Sequence, residues 1–277
     1  MSFSVFAIVL FAAALHASWN AVVKSGDDKV LMTIMVAASA SVTAAMVLPF
    51  LASPARPCWP FIASSVLIHI VYFALVGSAY RVGDMGQVYP LMRGTAPFLV
   101  ALASVSAFGE KLSIPAWMGV GLICVGIITM VKEGKASDMR GIYLALLNAI
   151  VIASYTLIDG AGTRLSGSPT AYAAWVFMLT GFPLMAWVVF ARREAFVGVV
   201  RRQWRTGVFG GAATVLSYAL VLGAMMTAPI AMVAALRETS ILFGTAIAGI
   251  VLRERLGPAR LIGAGLIGLG AVALRLA

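Results

Sequence analysis

Charged residues are scarce in this 277-residue sequence, at 11%, whereas hydrophobic residues reach 62% and the mean hydropathy is +1.01. A water-soluble domain normally contains about 25% charged and about 45–50% apolar residues. The chain therefore has too little polar surface for a soluble globule. The same composition excludes a disordered chain and a collagen-like chain.

Acidic residues are rarer still: ten Asp and Glu stand against twenty Lys and Arg, for a formal net charge of +10. In a soluble protein, such an excess would indicate nucleic-acid binding. Here the basic residues lie between long apolar runs and form no patch interleaved with aromatic residues. They indicate contact with a membrane surface, and we expect no nucleic-acid partner.

Cysteine and histidine are limited to two residues each. Cys58 and Cys124 lack metal-ligand spacing and do not indicate a disulfide framework. His16 and His69 lie on separate apolar segments, and no cluster of acidic residues accompanies them. A nucleophile–base pair or a metal centre is therefore not expected, and we predict no enzyme, no cofactor and no metal.

Ten apolar segments run along the chain, each near the roughly 20 residues that a membrane-spanning helix needs. They are residues 3–23, 30–52, 61–80, 85–108, 114–131, 141–161, 170–191, 207–227, 229–252 and 258–275. The first has no basic region before it and is long enough to span, unlike a cleaved signal peptide. Backbone polar groups need partners within the bilayer, and period-2 alternation is absent. We predict an all-α integral membrane protein with ten transmembrane helices.

The second half of the sequence repeats the first. An offset of 144 residues maps Arg93 onto Arg237 and Glu110 onto Glu254, without a gap. Each half contains five spans, and an odd number makes the two halves enter the membrane from opposite sides. Such inverted repeats are typical of secondary transporters. We predict one integrated transmembrane domain made of two five-helix repeats, residues 1–135 and 136–277.

The turn after the fourth span of each half reads Gly109-Glu110-Lys111-Leu112 and Arg253-Glu254-Arg255-Leu256, and a glycine-rich fifth span follows each turn. With the five-plus-five repeat and the polar end of the first span, these motifs make the sequence resemble the drug/metabolite transporter superfamily in its ten-helix EamA-like form. The resemblance covers the whole chain and implies a single-chain carrier that does not hydrolyse ATP. Members carry amino acids, sugar phosphates, nucleotide sugars, cations and other metabolites, so the resemblance implies no particular cargo.

Basic residues are shared unevenly between the two sides of the predicted membrane. The connections after the odd-numbered spans contain 14 Lys and Arg, whereas the other connections and the termini contain four. The positive-inside rule then places both termini outside a bacterial-type inner membrane. The basic stretch Arg192–Arg205 is expected to lie on the inner leaflet as a short amphipathic segment.

Arg93 and Arg237 are the clearest functional candidates, because ionisable residues inside a span are costly. At a rise of about 1.5 Å per residue, inversion of the halves would set the two guanidinium groups roughly 12 Å apart in depth. They would then bracket an anionic metabolite and bind it with bidentate hydrogen bonds. The alternative is a structural ion pair in which Glu238 supplies the acid.

Glu238 and Asp159 are candidates for carrying a proton within the membrane. Glu238 directly follows Arg237, and neighbouring helical side chains point about 100° apart, so these two are not expected to pair. Glu238 is expected either to contact Arg93 on the facing helix or to take part in proton coupling. Asp159 lies near the end of its span, where an interfacial cap is favoured over a proton site.

A polar stripe on the first span consists of His16, Asn20 and Lys24, which recur every four residues. We predict that it lines a cavity, with proton transfer by His16 as a less favoured role. For His69 in the third span, cavity lining and packing stay equally open.

Tyr89 precedes two prolines of the fourth span, Pro90 and Pro97, which each remove a backbone hydrogen bond. The free carbonyl groups favour a fourth span that lines the pathway, an ordinary kink being the alternative. Three further aromatic residues are candidates for cavity walls with polar tips, packing being the alternative: Trp19, Tyr155 and Tyr218.

The last span contains Gly263-Ala-Gly265-Leu-Ile-Gly268, which fits the dinucleotide-binding pattern GxGxxG. Because it lies inside an apolar span with no preceding strand, we interpret the glycines as surfaces for close helix packing. The fifth and tenth spans are predicted to pack on each other or to form a homodimer interface.

These features together predict a secondary transporter that works by alternating access. Its partners would be the lipid bilayer and a small polar, preferably anionic metabolite such as an amino acid, an organic acid, or a phosphorylated or phosphonate compound. Import and export stay open. Two alternatives are a flippase for a lipid-linked metabolite, which would need a lipid-open groove, and, less favoured, an intramembrane lipid-modifying enzyme.

Overall fold

The computed structural model describes residues 1–24, 28–83, 85–131, 139–251, 253 and 256–277. Across these ranges the chain is helical between short connections, and no strand occurs in them. The helices are α1 (Phe3–Lys24), α2 (Lys29–Val47), α3 (Trp59–Val82), α4 (Met85–Phe108), α5 (Ile114–Thr129), α6 (Met139–Ser166), α7 (Pro169–Ala191), α8 (Arg193–Met225), α9 (Ile230–Arg237), α10 (Ser240–Ala246) and α11 (Pro258–Leu276). Two 3-10 turns, Leu48–Phe50 and Arg56–Cys58, and a π-helical turn, Ile247–Val251, complete the described helical structure.

The length and composition of these helices confirm the predicted all-α membrane fold. Within the described ranges, nine helical segments are long and apolar enough to cross a membrane, and α5 is a shorter apolar helix of 16 residues. At 1.5 Å per residue, α5 extends about 24 Å, against a hydrocarbon core of about 30 Å. Large apolar side chains, Phe11 and Phe190 among them, stand exposed on the outside of the bundle. Such surfaces suit lipid rather than water.

The eighth span is longer than the sequence predicts, because α8 also contains the basic segment before it. The helix begins at Arg193, and its backbone departs from helical geometry at Gln203 (φ −130°, ψ 22°). The basic segment and the span are therefore two helical pieces joined at a kink. The location of the basic segment on the inner leaflet stays a prediction.

The ninth span, predicted as one helix over 229–252, is divided in two. Helix α9 ends at Arg237 and α10 begins at Ser240. Between them, the amides of Glu238 and Thr239 each donate a 3.0 Å hydrogen bond to the carbonyl three residues back. Bonds of this spacing tighten the turn relative to an α-helix. The direction of the Glu238 side chain relative to its neighbours therefore differs from that in a regular α-helix.

Helices α5 and α11 pack against each other through their glycines. A Cβ atom on Gly126 would lie 2.8 Å from the carbonyl oxygen of Gly263, and one on Gly119 would lie 2.9 Å from that of Gly270. Contacts this close between backbones need residues without side chains. Packing of the fifth span on the tenth, the first of the two predicted alternatives, is confirmed. The homodimer stays a prediction.

The packing of helices of the first half corresponds to the packing of helices of the second half. The third span packs on the sixth (α3 on α6), and the equivalent eighth span packs on the first (α8 on α1). In the same way the fourth span packs on the sixth (α4 on α6), and the equivalent ninth span packs on the first (α9 and α10 on α1). The boundary predicted between the repeats, 135/136, lies outside the described residues. Helices α4 and α9, which carry the two intramembrane arginines, contact each other.

Candidate substrate site

Arg93 and Arg237 both contact the carboxylate of Glu238. The Arg93 Nη2 atom lies 2.7 Å from Glu238 Oε2, and the Arg237 Nη2 atom lies 3.8 Å from Oε1. Arg93 belongs to α4, Arg237 ends α9, and Glu238 lies in the break before α10. The three side chains, hereafter the arginine cluster, join the fourth and ninth spans. The predicted contact between Glu238 and Arg93 is confirmed.

Two sequence-based expectations about the arginine cluster are wrong. Arg237 and Glu238 were not expected to interact as helical neighbours, but the helix break brings Glu238 Oε1 within 3.8 Å of Arg237. The guanidinium groups were expected roughly 12 Å apart in depth. One carboxylate lies within 2.7 Å of an Nη2 atom of Arg93 and within 3.8 Å of an Nη2 atom of Arg237, so these two atoms are closer together than that.

The arginine cluster is enclosed by protein and has hydrogen-bonding capacity left over. Arg93 and Arg237 are each 6% exposed, and Glu238 is 1% exposed. In the described part of the chain, the buried Nε atoms of both arginines have no hydrogen-bond acceptor. Two cations meet one described carboxylate, so one positive charge is in excess. Buried donors and charges without partners are costly, which makes this cluster a candidate for binding an anion.

The polar face of α1 lies beside the arginine cluster. His16 is half-buried, interacts electrostatically with both arginines and contacts the ring of Trp19 edge-to-face, with centroids 5.1 Å apart. The buried Trp19 Nε1 atom has no acceptor among the described residues. Asn20 donates from Nδ2 to the His16 carbonyl oxygen at 2.7 Å. The side chain of Lys24 lies outside the described residues.

Phenol groups surround Arg93 on its other sides. Tyr89 on the same helix, Tyr72 on α3 and Tyr155 on α6 all interact electrostatically with its guanidinium group. Helix α4 continues through both of its internal prolines, Pro90 and Pro97. Tyr89 and Tyr155 thus lie near Arg93, and the predicted roles of Tyr89 in the substrate site and of Tyr155 as a cavity wall stay predictions.

Asp159 forms a second buried cluster, on α6. The Tyr172 hydroxyl donates to Asp159 Oδ1 at 3.0 Å, and the Tyr218 hydroxyl donates to Oδ2. Asp159 is 0% exposed, and these donors are side chains of other helices rather than backbone amides at a helix end; the position of Asp159 relative to the membrane interface stays a prediction. The carboxylate instead connects α6 with α7 and α8; these three residues are called the aspartate cluster below.

His69 lies between the two clusters. Its ring is tilted over Tyr155 with centroids 4.3 Å apart, and it approaches the Tyr218 ring at 6.3 Å. Its Nδ1 atom is 2.9 Å from the carbonyl oxygen of Ser65 on the same helix. Within the described ranges, no group of three or more His, Cys, Asp or Glu side chains could hold a metal ion.

The sequence that forms these clusters matches a known protein family. Residues 139–276 match the model of the EamA-like transporter family. This chain belongs to the EamA-like transporter family. The match covers the second half of the chain, from the start of α6 to the end of α11. The chain is thus a multi-pass membrane transporter, and the resemblance expected from its motifs is confirmed.

Curated relatives of this EamA-like chain match it over short stretches. The uncharacterized protein y4nH of Sinorhizobium fredii is 28% identical over 75 residues, 27% of this chain and 64% of that protein. The multidrug transporter EmrE of Escherichia coli is 29% identical over 70 residues, 25% of this chain and 63% of that protein. The multidrug transporter PA4990 of Pseudomonas aeruginosa is 28% identical over 69 residues, 25% of this chain and 63% of that protein. The chain thus spans less than two thirds of the length of each of these relatives, which are consistent with the drug/metabolite transporter superfamily.

A solved crystal structure of a protein resembles this EamA-like fold over almost its whole length. The TM-score is 0.75, and the alignment covers 98% of this chain and 95% of the other. Sequence identity is 16%, so the likeness concerns the fold alone.

The first signature turn of this EamA-like chain connects its two halves. Gly109 closes α4 with φ 66°, and the Glu110 amide donates to the Ser104 carbonyl oxygen at 3.1 Å. This is the glycine-dependent end of a helix. The turn projects the Glu110 side chain onto the N-terminus of α9, where Oε1 accepts from the Ile230 amide at 3.0 Å. Residues 254 and 255 of the second turn lie outside the described residues.

Arg164 completes this capping arrangement. Its Nη2 atom lies 2.9 Å from Glu110 Oε1, and it donates to the carbonyl oxygens of Met225 and Ala228. No signal in the sequence indicates the roles of Arg164 and Tyr172, because the partners of each lie in distant parts of the chain. The signature turn is thus a structural clamp at the start of α9, whereas the arginine cluster lies at its end.

Proposed function

We propose that this EamA-like transporter is a secondary active carrier for a small anionic metabolite. The substrate class is an amino acid, an organic acid, or a phosphorylated or phosphonate compound, carried across a bacterial inner membrane. The two halves would alternate access to the arginine cluster by moving against each other.

The excess positive charge of the arginine cluster is the observation that carries this proposal. A structural ion pair needs one cation for one carboxylate, and Arg93 supplies it at 2.7 Å. Arg237 then adds a second buried cation at 3.8 Å from the same group. Guanidinium groups bind carboxylate and phosphate oxygens with paired donors, and each arginine still has its Nε donor available in the described part of the chain.

The neighbours of the cluster suit a polar organic substrate. The unpartnered Trp19 Nε1 donor and the His16 ring come from α1, and Tyr89 and Tyr155 bring phenol groups from α4 and α6. We assign these four residues, with Asn20, to the substrate side of the site. His69 and Tyr218 contact each other nearer to Asp159, and we assign them to its edge.

The break in the ninth span supports movement at this site. It lies beside Glu238, and the fourth span, although continuous, contains two prolines. Discontinuous spans near the substrate are typical of carriers with inverted repeats. The corresponding helix pairs, such as α3 with α6 and α1 with α8, fit two repeats related by a twofold axis.

Proton coupling is part of the proposal, with Glu238, His16 and Asp159 as candidate groups. Glu238 is preferred because its carboxylate contacts both arginines. The uneven charge of the connections supports an orientation with both termini outside. If uptake or release by the purified carrier ignores an imposed pH gradient, proton coupling is wrong while carriage of an anion stands.

A flippase is less well supported. A groove of about 340 Å³ opens between α4 and α6 and is lined mainly by apolar side chains. Its two hydroxyls, on Ser106 and Ser154, donate to carbonyl oxygens of their own helices, at 2.9 and 2.8 Å. The groove therefore presents no free polar patch for a lipid-linked headgroup.

Thermal stabilisation by ligands tests the proposal. Purified wild-type protein would be screened against amino acids, organic acids, phosphates, phosphonates and organic cations. A ligand present at a hundredfold excess over its Kd stabilises the native state by about 2.7 kcal/mol. We expect an anion to stabilise the wild type and to lose at least about thirtyfold in affinity in Arg93→Ala and Arg237→Ala, because each loses a buried charged partner.

Arg201→Ala is the matched control, since Arg201 is an exposed arginine of the basic segment of α8. This variant should bind the anion as the wild type does. Stabilisation by a cation or a neutral solute, unchanged in the two cluster variants, would overturn the proposal and make both arginines structural.

A further inference from the structure

Glu238 lies where the anionic group of the proposed substrate would have to bind. Its two carboxylate oxygens contact one arginine each, Oε2 at Arg93 and Oε1 at Arg237. A bound carboxylate or phosphate would approach the same two guanidinium groups. The cluster is enclosed, with side chains no more than 7% exposed, and leaves little space for both anions.

We propose that Glu238 is a tethered occupant of the anion site, which the substrate displaces and which then takes up one proton. The inference rests on the proposed function. In the step, the substrate anion replaces the Glu238 carboxylate at the arginines, and the released carboxylate combines with a proton from water to give the neutral acid. No covalent bond of the substrate changes, and each anion bound brings one proton with it.

Electrostatics favours displacement over joint binding. Two anions side by side in an enclosed site repel each other, and a carboxylate removed from its cations into such a site is more stable when neutral. The substrate would also reach the Nε donors of both arginines, which the Glu238 carboxylate leaves without a partner among the described residues.

Glu238 lies in the break between α9 and α10, a break that has no equivalent in the first half. Its backbone hydrogen bond there joins residues three apart instead of four apart. The equivalent residue of the first half, Gly94, lies inside the continuous helix α4, and a Cβ atom there would be 2.9 Å from the Ile128 side chain. The first half therefore has neither the carboxylate nor the space for one, and the chain has a single tethered occupant at this pair of positions.

Other titratable groups face the cluster from the helices packed around it. They are His16 on α1, Tyr72 and His69 on α3, Tyr89 and Arg93 on α4, Cys124 on α5, Tyr155 on α6, Tyr218 on α8 and Arg237 on α9. Among these, His16 and His69 are the alternative acceptors for a proton near neutral pH. The test must therefore separate Glu238 from both histidines.

The test measures proton uptake when an anion binds. Sulfate and acetate are suitable probes, because their own charge does not change near neutral pH. Wild-type protein in a weakly buffered detergent solution with a pH-indicator dye should take up one proton per bound probe anion. The affinity of the protein for the anion should rise by about tenfold for each pH unit of acidification, wherever one proton is taken up per anion bound.

Glu238→Gln keeps the size of the side chain and removes the competing charge. This variant should bind the probe at least tenfold more tightly than the wild type near neutral pH, without proton uptake. The control is Glu110→Gln, which removes a carboxylate at the opposite end of α9 and should leave uptake unchanged. His16→Gln is expected to bind the probe more weakly, because His16 belongs to the substrate side of the site, but it should still take up one proton per bound anion. The same stoichiometry is expected for His69→Gln.

Three results would overturn the inference: wild-type binding without proton uptake, proton uptake that persists in Glu238→Gln, or a histidine variant (His16→Gln or His69→Gln) that binds the anion without taking up a proton. The wild-type measurement decides the question even if Glu238→Gln does not fold. If wild-type protein binds an anion through both arginines without taking up a proton, this inference fails and the proposed function stands. If neither the wild type nor Glu238→Gln binds any anion of the panel, the inference and the proposed function both fail.

Discussion

Two buried carboxylates of this transporter, Asp159 and Glu238, have similar burial and different partners. Asp159 is 0% exposed and accepts hydrogen bonds from the hydroxyls of Tyr172 and Tyr218, one at each oxygen. Glu238 is 1% exposed and contacts two guanidinium groups. In the first cluster both carboxylate oxygens have hydroxyl donors, and the Ser65 side chain also bonds to this carboxylate. In the second, donors and positive charge are left over.

This difference distinguishes a structural clamp from a binding site. The aspartate cluster connects α6, α7 and α8 with hydrogen bonds that leave neither phenol hydroxyl free for a ligand. The arginine cluster retains the Nε donors of Arg93 and Arg237 without described acceptors. A buried polar cluster that is only partly satisfied is costly for stability alone, and this cost is the basis for the proposed role of the arginine cluster in binding.

Asp159→Ala should have the largest effect on stability among variants outside the arginine cluster. It leaves two buried phenol hydroxyls without an acceptor, each costing about 1–3 kcal/mol. We expect the unfolding free energy in a detergent titration to fall by about 3 kcal/mol, while affinity for the stabilising anion stays within about twofold. A large loss of anion affinity with intact stability would place Asp159 in the substrate site. The aspartate cluster would then no longer differ in role from the arginine cluster.

Glu110→Gln should have an intermediate effect, because it weakens the cap of α9 and the ion pair with Arg164. The loss of a charged cap costs about 0.5–2 kcal/mol. The measurement is the same detergent titration, and Glu194→Gln is the matched control, at an acidic residue in the first turn of α8. Equal effects of the two substitutions would mean that the cap at α9 contributes nothing specific.

Tyr218→Phe should have the smallest effect, with Tyr172→Phe as its matched partner on the other oxygen of Asp159. Each removes one hydroxyl donor, at a net cost of about 1 kcal/mol. Both should destabilise the protein to a similar extent and leave anion affinity unchanged. If Tyr218→Phe alone weakens anion binding, its hydroxyl serves the substrate, as the cavity-wall prediction allows.

Much of the fold is predictable from the sequence, because apolar length and paired motifs are local signals. The ten spans follow from runs of about 20 apolar residues, and Gly119, Gly126, Gly263 and Gly270 indicate close packing of the fifth and tenth spans. The contact between Arg93 and Glu238 is predictable because few acidic residues lie within the spans, which leaves Glu238 as the obvious partner for an intramembrane arginine.

The break in the ninth span is not predictable in the same way. No proline or glycine occurs within Leu236–Ser240, so the segment looks like an ordinary apolar helix with a charged pair. The pairing of both arginines with one carboxylate depends on that break. The depth expected for the arginines, which assumes a straight helix, is consequently wrong.

The partners of Asp159 and Glu110 depend on contacts between distant parts of the chain. Tyr172 is an aromatic residue in a run of alanines, and nothing within α7 indicates that its hydroxyl faces a carboxylate of α6. Glu110 caps a helix that begins 120 residues later. Only the packing of the spans brings these groups together.

Exchange of a labelled anion by the protein in proteoliposomes tests the central claim most directly. The stabilising anion would be loaded inside the vesicles, and entry of the same labelled anion would be followed for the wild type, Arg93→Ala, Arg237→Ala and the surface control Arg201→Ala. The account predicts rapid exchange by the wild type and the control, and loss of exchange in both cluster variants. Exchange by Arg93→Ala and Arg237→Ala at the wild-type rate would contradict it.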